Sequence, residues 1–338
     1  MADPNKALPE NVEGDFFVDS TCIGCHNCSD LAPGVFAEVA NDFYLVVKKQ
    51  PETEKELRDA LRALVCCPKG SIGTRNKHDM KAVLEQFPVE ISEGVYYLGF
   101  NSDRSAGAKS FFIASEQGNW MVEAPKLQSR TISWIEKQGG LAYIFLSHRD
   151  DVAQAREFAH HFNAKRIIHE GDLEAQPDAE IVLKGSEAVT ITEEFLVIPT
   201  PGHTIGHCVL LHKDKHLFTG DMLTSRERFD DPIEAWKPEI CWWSWDRQTE
   251  SIRRLLNYDF EVMIPSHGRL LRDSAENMKS HLEQCIRRCD AEPDKNPATP
   301  YRAKYLTFMI EHAKRTGQAE YSDETKRNLE DVLRKMND

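Results

Sequence analysis

The sequence predicts an α+β chain with two cores, a small cysteine-rich module and a larger layered one, followed by a helical tail. Three observations carry that expectation. Five of the nine cysteines fall within the first 67 residues. From Val89 onward, short apolar runs of strand length alternate with longer stretches of helical periodicity. After Arg272 the pattern is wholly helical. At 338 residues the chain is long enough to bury two cores. The boundaries expected are 1–75 for the first module, 76–88 for a linker, 89–272 for the second module and 273–338 for a helical extension.

Bulk composition narrows the function classes. A net charge of −13 argues against non-specific binding of nucleic acid, which needs a basic footprint. No apolar run approaches the roughly 20 residues that span a bilayer. The segment Met1 to Glu13 is acidic and lacks the basic-then-apolar order of a secretory signal. An odd number of clustered cysteines points to metal ligation in a reducing compartment, so the cytoplasm is expected.

In the first module, Cys22, Cys25 and Cys28 are spaced Cys-x2-Cys-x2-Cys, and Cys67-Pro68 follows far downstream. A short loop with that spacing turns three thiolates toward one cubane and leaves a fourth iron to be ligated from elsewhere. Thr53 and Glu56 form a capping-box pattern, and Leu57, Leu61, Leu64 and Val65 make one helical face. That helix ends just before Cys67, where Pro68 stops it. Cys66 is read as a small buried hydrophobe. A zinc knuckle is the competing reading of the four thiols; the spacing together with the proline after the last cysteine favours an iron–sulfur cubane.

In the second module, strands are expected at Gly94–Leu98, Ser110–Ala114, Trp120–Val122, Tyr143–Leu146, Ile167–His169, Phe195–Ile198, Cys208–His212, His216–Thr219 and Val262–Pro265. Helices are expected at Gln128–Gln138, Asp151–Phe162 and Thr249–Leu256. Four stretches sit where strands end: Ser147-His148-Arg149-Asp150-Asp151, Pro201-Gly202-His203-Thr204, Thr219-Gly220-Asp221 and Pro265-Ser266-His267-Gly268. Each sets an imidazole or a carboxylate beside Gly, Ser or Pro. Strand ends converging on one edge would build a nitrogen/oxygen site for zinc, iron or manganese. His207 is placed to orient a ligand. His160, His161, Cys285 and Cys289 read as surface or packing residues, and Trp242, Trp243 and Trp245 as pocket or core.

The first segment resembles the single-cluster bacterial ferredoxins in Val18-Asp19, Cys22-Ile23-Gly24-Cys25, Ala32-Pro33, Val35-Phe36 and Cys67-Pro68. The resemblance implies one [4Fe–4S] cluster held by Cys22, Cys25, Cys28 and Cys67. From about Val89 to Arg272, the order of motifs resembles the metallo-β-lactamase superfamily, which implies an αββα sandwich. By motif matching, His148 corresponds to the first ligand of that superfamily's His-x-His-x-Asp-His pattern. His203 corresponds to its Pro-Gly-His-Thr ligand, Asp221 to its bridging aspartate and His267 to its last histidine. The strip after His148 departs from the pattern. Asp150 stands where the second histidine is expected and is the favoured extra ligand. Val152 and Ala153, or Gln154 and Ala155 in a shifted register, replace Asp-His. Asp151 reads as an N-cap of the helix that follows. A carboxylate in the second position resembles the flavodiiron branch, where iron replaces zinc.

The expectation is therefore at most one zinc or iron ion, bound by His148, Asp150, His203, Asp221 and His267, with Asp221 or Asp150 as proton acceptor. The leading functional reading is a metal-dependent, hydrolase-like enzyme acting on a small molecule. Two alternatives stay open: a redox enzyme whose cluster feeds electrons to iron or substrate at the same site, and an electron-transfer module that docks a redox protein. The tail is read as a packing or dimerisation element with helices near Ser274–Arg288, Tyr301–Arg315 and Asp323–Lys335, punctuated by Pro300, Gly317 and Ser322.

Overall fold

Thr53 and Glu56 close the expected capping box: Glu56 N donates to Thr53 Oγ1 at 3.1 Å, and Thr53 N donates to Glu56 Oε2 at 3.1 Å. The helix they start is one element of a computed structural model that describes residues 2–39, 43–225, 232–236 and 240–292, with 303, 306, 307, 310, 330 and 334. The chain divides into two units, Met1–Gln86 and a second that begins at Phe87.

The first unit runs β1 (Phe16–Val18), α1 (Asn27–Leu31), β2 (Phe36–Glu38), β3 (Leu45–Val47), α2 (Glu54–Cys66), β4 (Ile72–Thr74) and α3 (Met80–Leu84). β1 pairs antiparallel with β4, and β2 with β3. Phe16, Val18, Phe36, Leu45 and Val47 form the core under α2, which presents Ala60, Leu61 and Ala63 fully buried. Cys66 is also wholly buried at the end of α2, as a small core residue. Residues 76–88, read from the sequence as a linker, contain α3; Asp79 caps it, and Val83 is buried in the first core. Five residues with one fully buried side chain, next to a charged stretch, were too short a periodic signal to reveal it.

The second unit has four layers. One sheet has the order β11 (Ile181–Leu183), β10 (Lys165–His169), β9 (Tyr143–Phe145), β8 (Trp120–Val122), β7 (Phe111–Ile113), β6 (Val95–Tyr97), β5 (Val89–Ser92). The other has the order β12 (Val189–Thr192), β13 (Phe195–Pro199), β14 (Cys208–His212), β15 (His216–Gly220), β18 (Val262–Pro265), β19 (Leu271–Arg272). A small pair, β16 (Leu223–Thr224) with β17 (Glu234–Ala235), lies between β15 and β18 in sequence. Alternation along each strand sends one set of side chains between the sheets and the other toward helices. Trp120 stacks on Phe195 at 4.1 Å, and Phe111 meets Phe218 at 5.7 Å, so the two sheets share an aromatic interior. Phe112, Met121 and Ile144 face the other way, against α4 (Ser129–Lys137) and α5 (Ala155–Phe162). Ile198, Val209 and Leu217 do the same toward α6 (Trp245–Arg254) and α7 (Ala275–Ala291). This is the αββα sandwich expected from the sequence.

α7, which the sequence placed in the tail, therefore lies over the second sheet; Cys285 and Cys289 are buried there. The expected helices Tyr301–Arg315 and Asp323–Lys335, with Pro300, Gly317 and Ser322, fall outside the described residues apart from isolated positions. α6 begins at Trp245, earlier than the Thr249 expected, because Ser244 caps it by accepting from Arg247 N at 3.3 Å. No helix among the described residues is long and apolar enough to cross a membrane.

One pair in the second sheet makes stability depend on pH. His212 and His216 face each other across β14 and β15, with Nδ1 atoms 3.3 Å apart. Burial holds each imidazole down at about 4, below the usual 6.5. The unfolded chain takes up protons as pH falls through 6.5, and the folded chain does so only near 4. The pair's contribution is thus complete above pH 6.5 and is lost between 6.5 and 4, with a ceiling of about 3 kcal/mol per ring. A His212→Asn/His216→Asn protein should lose less stability than the wild type between pH 7 and pH 5. Equal losses in denaturant titrations at the two pH values would remove this pair as the cause.

Candidate metal centres

In the first unit, the loop from Cys22 to Cys28 turns tightly before α1. Gly24 has φ +68°, and a Cβ there would sit 2.2 Å from the Phe43 carbonyl oxygen, so only glycine fits. The turn brings Cys22, Cys25 and Cys28 to one pocket, and the end of α2 delivers Cys67 to the same pocket. Amide donors point at the sulfurs: Gly24 N to Cys22 Sγ at 3.5 Å, Asn27 Nδ2 to Cys25 Sγ at 3.4 Å and Ser71 N to Cys67 Sγ at 3.2 Å. Burial pushes the Cys22 thiol up to about 11, that of Cys25 to about 12 and that of Cys28 well above its usual range. Cys22, Cys25 and Cys28, so buried, become thiolates only against a cationic group. That donor chemistry, with N–H groups already aimed at sulfur, fits an iron–sulfur cubane.

In the second unit the topology gathers one edge. β8, β9 and β10 are mutually parallel in the first sheet, and β13, β15 and β18 run alike in the second, so their C-terminal ends lie together. Glu123 follows β8, His148 follows β9, His203 follows β13, Asp221 follows β15 and His267 follows β18. His148 Nε2 and His203 Nε2 each lie 3.7 Å from Asp150 Oδ2, and 3.8 and 3.9 Å from Asp221 Oδ2. His267 Nε2 lies 3.9 Å from Asp221 Oδ1. Among the described residues no hydrogen-bond donor or acceptor meets His148 Nε2, His203 Nε2 or Asp150 Oδ2, although these atoms are buried. Buried polar atoms without partners are costly. Several of them facing one another at just under 4 Å fit a bound cation.

The same edge holds two residues that sequence reasoning did not place there. Asp151, read as an N-cap, does not cap α5: that helix starts after Gln154, and the Asp151 side chain is buried, with no donor among the described residues meeting its Oδ2. Burial, then the negative charges of Asp221, Glu123 and Asp150, push its carboxyl well above the usual range. Glu123 is buried, accepts from Ser147 N at 3.1 Å, and is pushed by burial up to about 8. Its φ of +54° is strained for a glutamate. A carboxylate directly after a buried strand was the available signal, identical in kind to that for Asp221.

The donors form three overlapping groups: His148, His203 and Asp221; Asp151, Asp221 and His267; and Glu123, His148 and Asp151. The sequence reading expected one ion at most, and the edge supplies more donors than one ion uses. Val152, Ala153, Gln154 and Ala155 take no part in these groups; Asp151 is the residue of that strip that does.

The surrounding residues hold the donors in place. Ser147 Oγ meets His148 Nδ1 at 2.8 Å, which turns Nε2 toward the other donors. His207 accepts from Asp221 N at 3.3 Å and meets Thr200 Oγ1 at 2.9 Å, so it fixes the Asp221 turn, as expected of an orienting residue. His169 accepts from Gly171 N and meets the Gly185 carbonyl oxygen, a local structural role. Of the tryptophans, Trp245 is core, Trp243 is exposed, and Trp242 lies 6.1 Å from the His203 ring.

Comparison with known proteins agrees with both halves. The family "4Fe-4S single cluster domain of Ferredoxin I" matches residues 18–74, and the "Metallo-beta-lactamase superfamily" matches residues 141–267. The chain is a single-cluster ferredoxin domain fused to a metallo-β-lactamase-fold domain. A hydroxyacylglutathione hydrolase from Citrobacter koseri is 29% identical over 117 residues, covering 33% of this chain and 46% of that protein. The match thus spans less than half the length of that relative. Among solved structures, the DIM-1 metallo-beta-lactamase exposed to ceftazidime is 19% identical, with a TM-score of 0.45, over 59% of this chain and 95% of that one. An archaeal metallo-beta-lactamase superfamily protein from Sulfolobus tokodaii is 20% identical, with a TM-score of 0.40, over 62% of this chain and 91% of that one. In the lactamase-fold domain, the four strand-end stretches read from the sequence all reach the one edge.

Proposed function

We propose that this chain is a metal-dependent, hydrolase-like enzyme whose ferredoxin domain carries a [4Fe–4S] cluster on Cys22, Cys25, Cys28 and Cys67. The observation that supports the catalytic half most directly is the pair His148 Nε2 and His203 Nε2, both without hydrogen-bond partners among the described residues and both 3.7 Å from one oxygen of Asp150. His148, Asp150, His203, Asp221 and His267 would hold the ion. A zinc or iron ion there supplies Lewis acidity, polarising a carbonyl and lowering the pKa of water. The chain's own residues would do the rest. Asp150, whose side chain is 42% exposed, faces the solvent side and is the better placed proton acceptor; Asp221, at 14%, is more enclosed and would serve as a ligand. The matched relative is named for hydrolysis of a hydroxyacylglutathione, so thioesters are the first small-molecule substrates to test.

A second reading is supported by the donor set itself. Glu123, Asp151 and Asp221 alongside three histidines favour a harder ion, such as iron or manganese, over zinc. A hydrolase needs no electrons, and a fused cluster is explained more directly if electrons pass to an iron or to substrate. The test compares intact protein with a cluster-less Cys22→Ser/Cys25→Ser protein on ester, thioester and lactone panels, with and without a low-potential reductant. Hydrolysis that survives loss of the cluster removes the redox reading. Turnover that appears only with reductant removes the hydrolytic one.

A further inference from the structure

Asp172 lies just beyond the C-terminal end of β10, on the edge that carries the donors, and is fully buried. It belongs to none of the donor groups. Its Oδ2 accepts from Arg149 N at 3.2 Å and from Thr204 Oγ1 at 2.5 Å; its Oδ1 accepts from Gly206 N at 3.2 Å. Arg149 sits between His148 and Asp150, and Thr204 directly follows His203. One carboxylate therefore ties together two loops that between them carry three of the candidate ligands.

The tie matters most for His203. The His148 ring is fixed through Ser147 Oγ, whereas neither ring nitrogen of His203 has a hydrogen-bond partner among the described residues. The direction of the His203 imidazole is thus set by its backbone. On one side Trp242 N and Trp243 N donate to the His203 carbonyl oxygen, at 2.9 and 3.1 Å. On the other side Asp172 holds the loop through the Thr204 hydroxyl and Gly206 N, beside the backbone bonds from Gly202 N to the Thr204 carbonyl oxygen at 3.0 Å and from Thr200 N to the His207 carbonyl oxygen at 2.8 Å. The fit is close: a Cβ on Gly206 would lie 2.5 Å from Asp172 N.

We propose that Asp172 is a positioning residue that sets the spacing of loops 147–151 and 201–207 and, through it, the affinity of the site for a divalent metal. This rests on the reading of that edge as a metal site. An asparagine at 172 has one acceptor oxygen, so its amide N–H groups must face either Gly206 N–H or the Arg149 and Thr204 donors. Either way, donor meets donor and one loop is released.

The test uses the full chain with its cluster oxidised, hence diamagnetic, after a chelator has removed other metal. Mn2+ is titrated and followed by its electron paramagnetic resonance signal. Asp172→Asn should raise the Mn2+ dissociation constant about 10–100-fold and change the line shape of the bound ion. Thr204→Val should weaken binding less, and Thr204→Ser, which keeps the hydroxyl, should restore it. A purely structural role would lower the melting temperature without this pattern of rescue. Crystal structures of metal-free wild type and Asp172→Asn give a readout independent of any metal, and in the variant the 3.7 Å spacing of His203 Nε2 and Asp150 Oδ2 should open. Unchanged Mn2+ affinity and line shape in Asp172→Asn, or an unchanged spacing in its metal-free structure, would overturn the proposal. A wild type that binds no Mn2+ counts against the metal reading instead, and the metal-free structures then decide the role of Asp172.

Discussion

Replacing Cys67 with serine is expected to strip the ferredoxin domain of its iron and sulfide, whereas replacing Cys66 with alanine is expected to leave both near four per chain. The two residues are adjacent, so position in sequence does not separate them. Position in the fold does. Cys66 is the last residue of α2 and is wholly buried in the first core. Cys67 is the helix C-cap, where the backbone leaves the helical conformation and turns its sulfur into the pocket shared with Cys22, Cys25 and Cys28. Ser71 N already donates to that sulfur at 3.2 Å. Serine at 67 offers a harder and far less acidic ligand, so the cubane should be lost. Alanine at 66 removes one buried sulfur, a stability cost of about 1 kcal/mol. Iron and sulfide analysis of anaerobically purified protein, with the visible absorption of the cluster, gives the answer. Equal loss in both variants would sink the assignment of Cys67.

The second large effect concerns Asp221. It contributes to two donor groups, one with His148 and His203 and one with Asp151 and His267, whereas His203 contributes to one. Asp221→Asn should therefore abolish binding of all metal beyond the cluster irons, with an affinity loss larger than the roughly 10–100-fold caused by losing an outer-shell partner. His203→Ala should remove the ion it shares with His148 and leave any bound beside Asp151 and His267. The cluster iron should be the same in both. Elemental analysis, corrected for cluster iron by measured sulfide, separates these outcomes. An Asp221→Asn protein that keeps full metal would show that the edge binds it without that carboxylate.

Local chemistry explains what could be read in advance. The Cys-x2-Cys-x2-Cys spacing, the Thr53–Glu56 capping box and the helix ending at Cys67 are short-range features, and each appears in the fold as read. The central strands were legible because both of their faces are buried, which leaves near-continuous apolar runs such as Cys208–His212. The strands absent from the sequence reading of the second module were short or peripheral. β5 and β11 close the two sides of the first sheet, β12 and β19 those of the second, and β16 and β17 pair by themselves. β5 and β12 read Val-Glu-Ile-Ser and Val-Thr-Ile-Thr, with half-exposed residues and no apolar run to announce them. α3 was hidden in the same way, since a single buried Val83 anchors it.

The candidate site divides along the same line. Histidines and aspartates placed directly after buried strands, His148, His203, Asp221 and His267, were identifiable because strand end and side-chain chemistry coincide in sequence. Asp151 was assigned to the helix because a carboxylate shortly before a helical run is the usual sign of an N-cap. Whether that carboxylate turns to the helix or to the sheet edge depends on Ala153 and Gln154, which hold the backbone out of the helix until Ala155. Glu123 and Asp172 needed more still. Their partners lie 23 to 34 residues away along the chain, at Ser147, Arg149, Thr204 and Gly206. The sequence alone determined that there are two modules and offered most of the candidate ligands, because those properties belong to side-chain chemistry and local spacing. Only the tertiary structure decided which carboxylates share one edge and which loop holds which ligand, because parallel strands from two sheets must pack before residues so distant in the chain can meet.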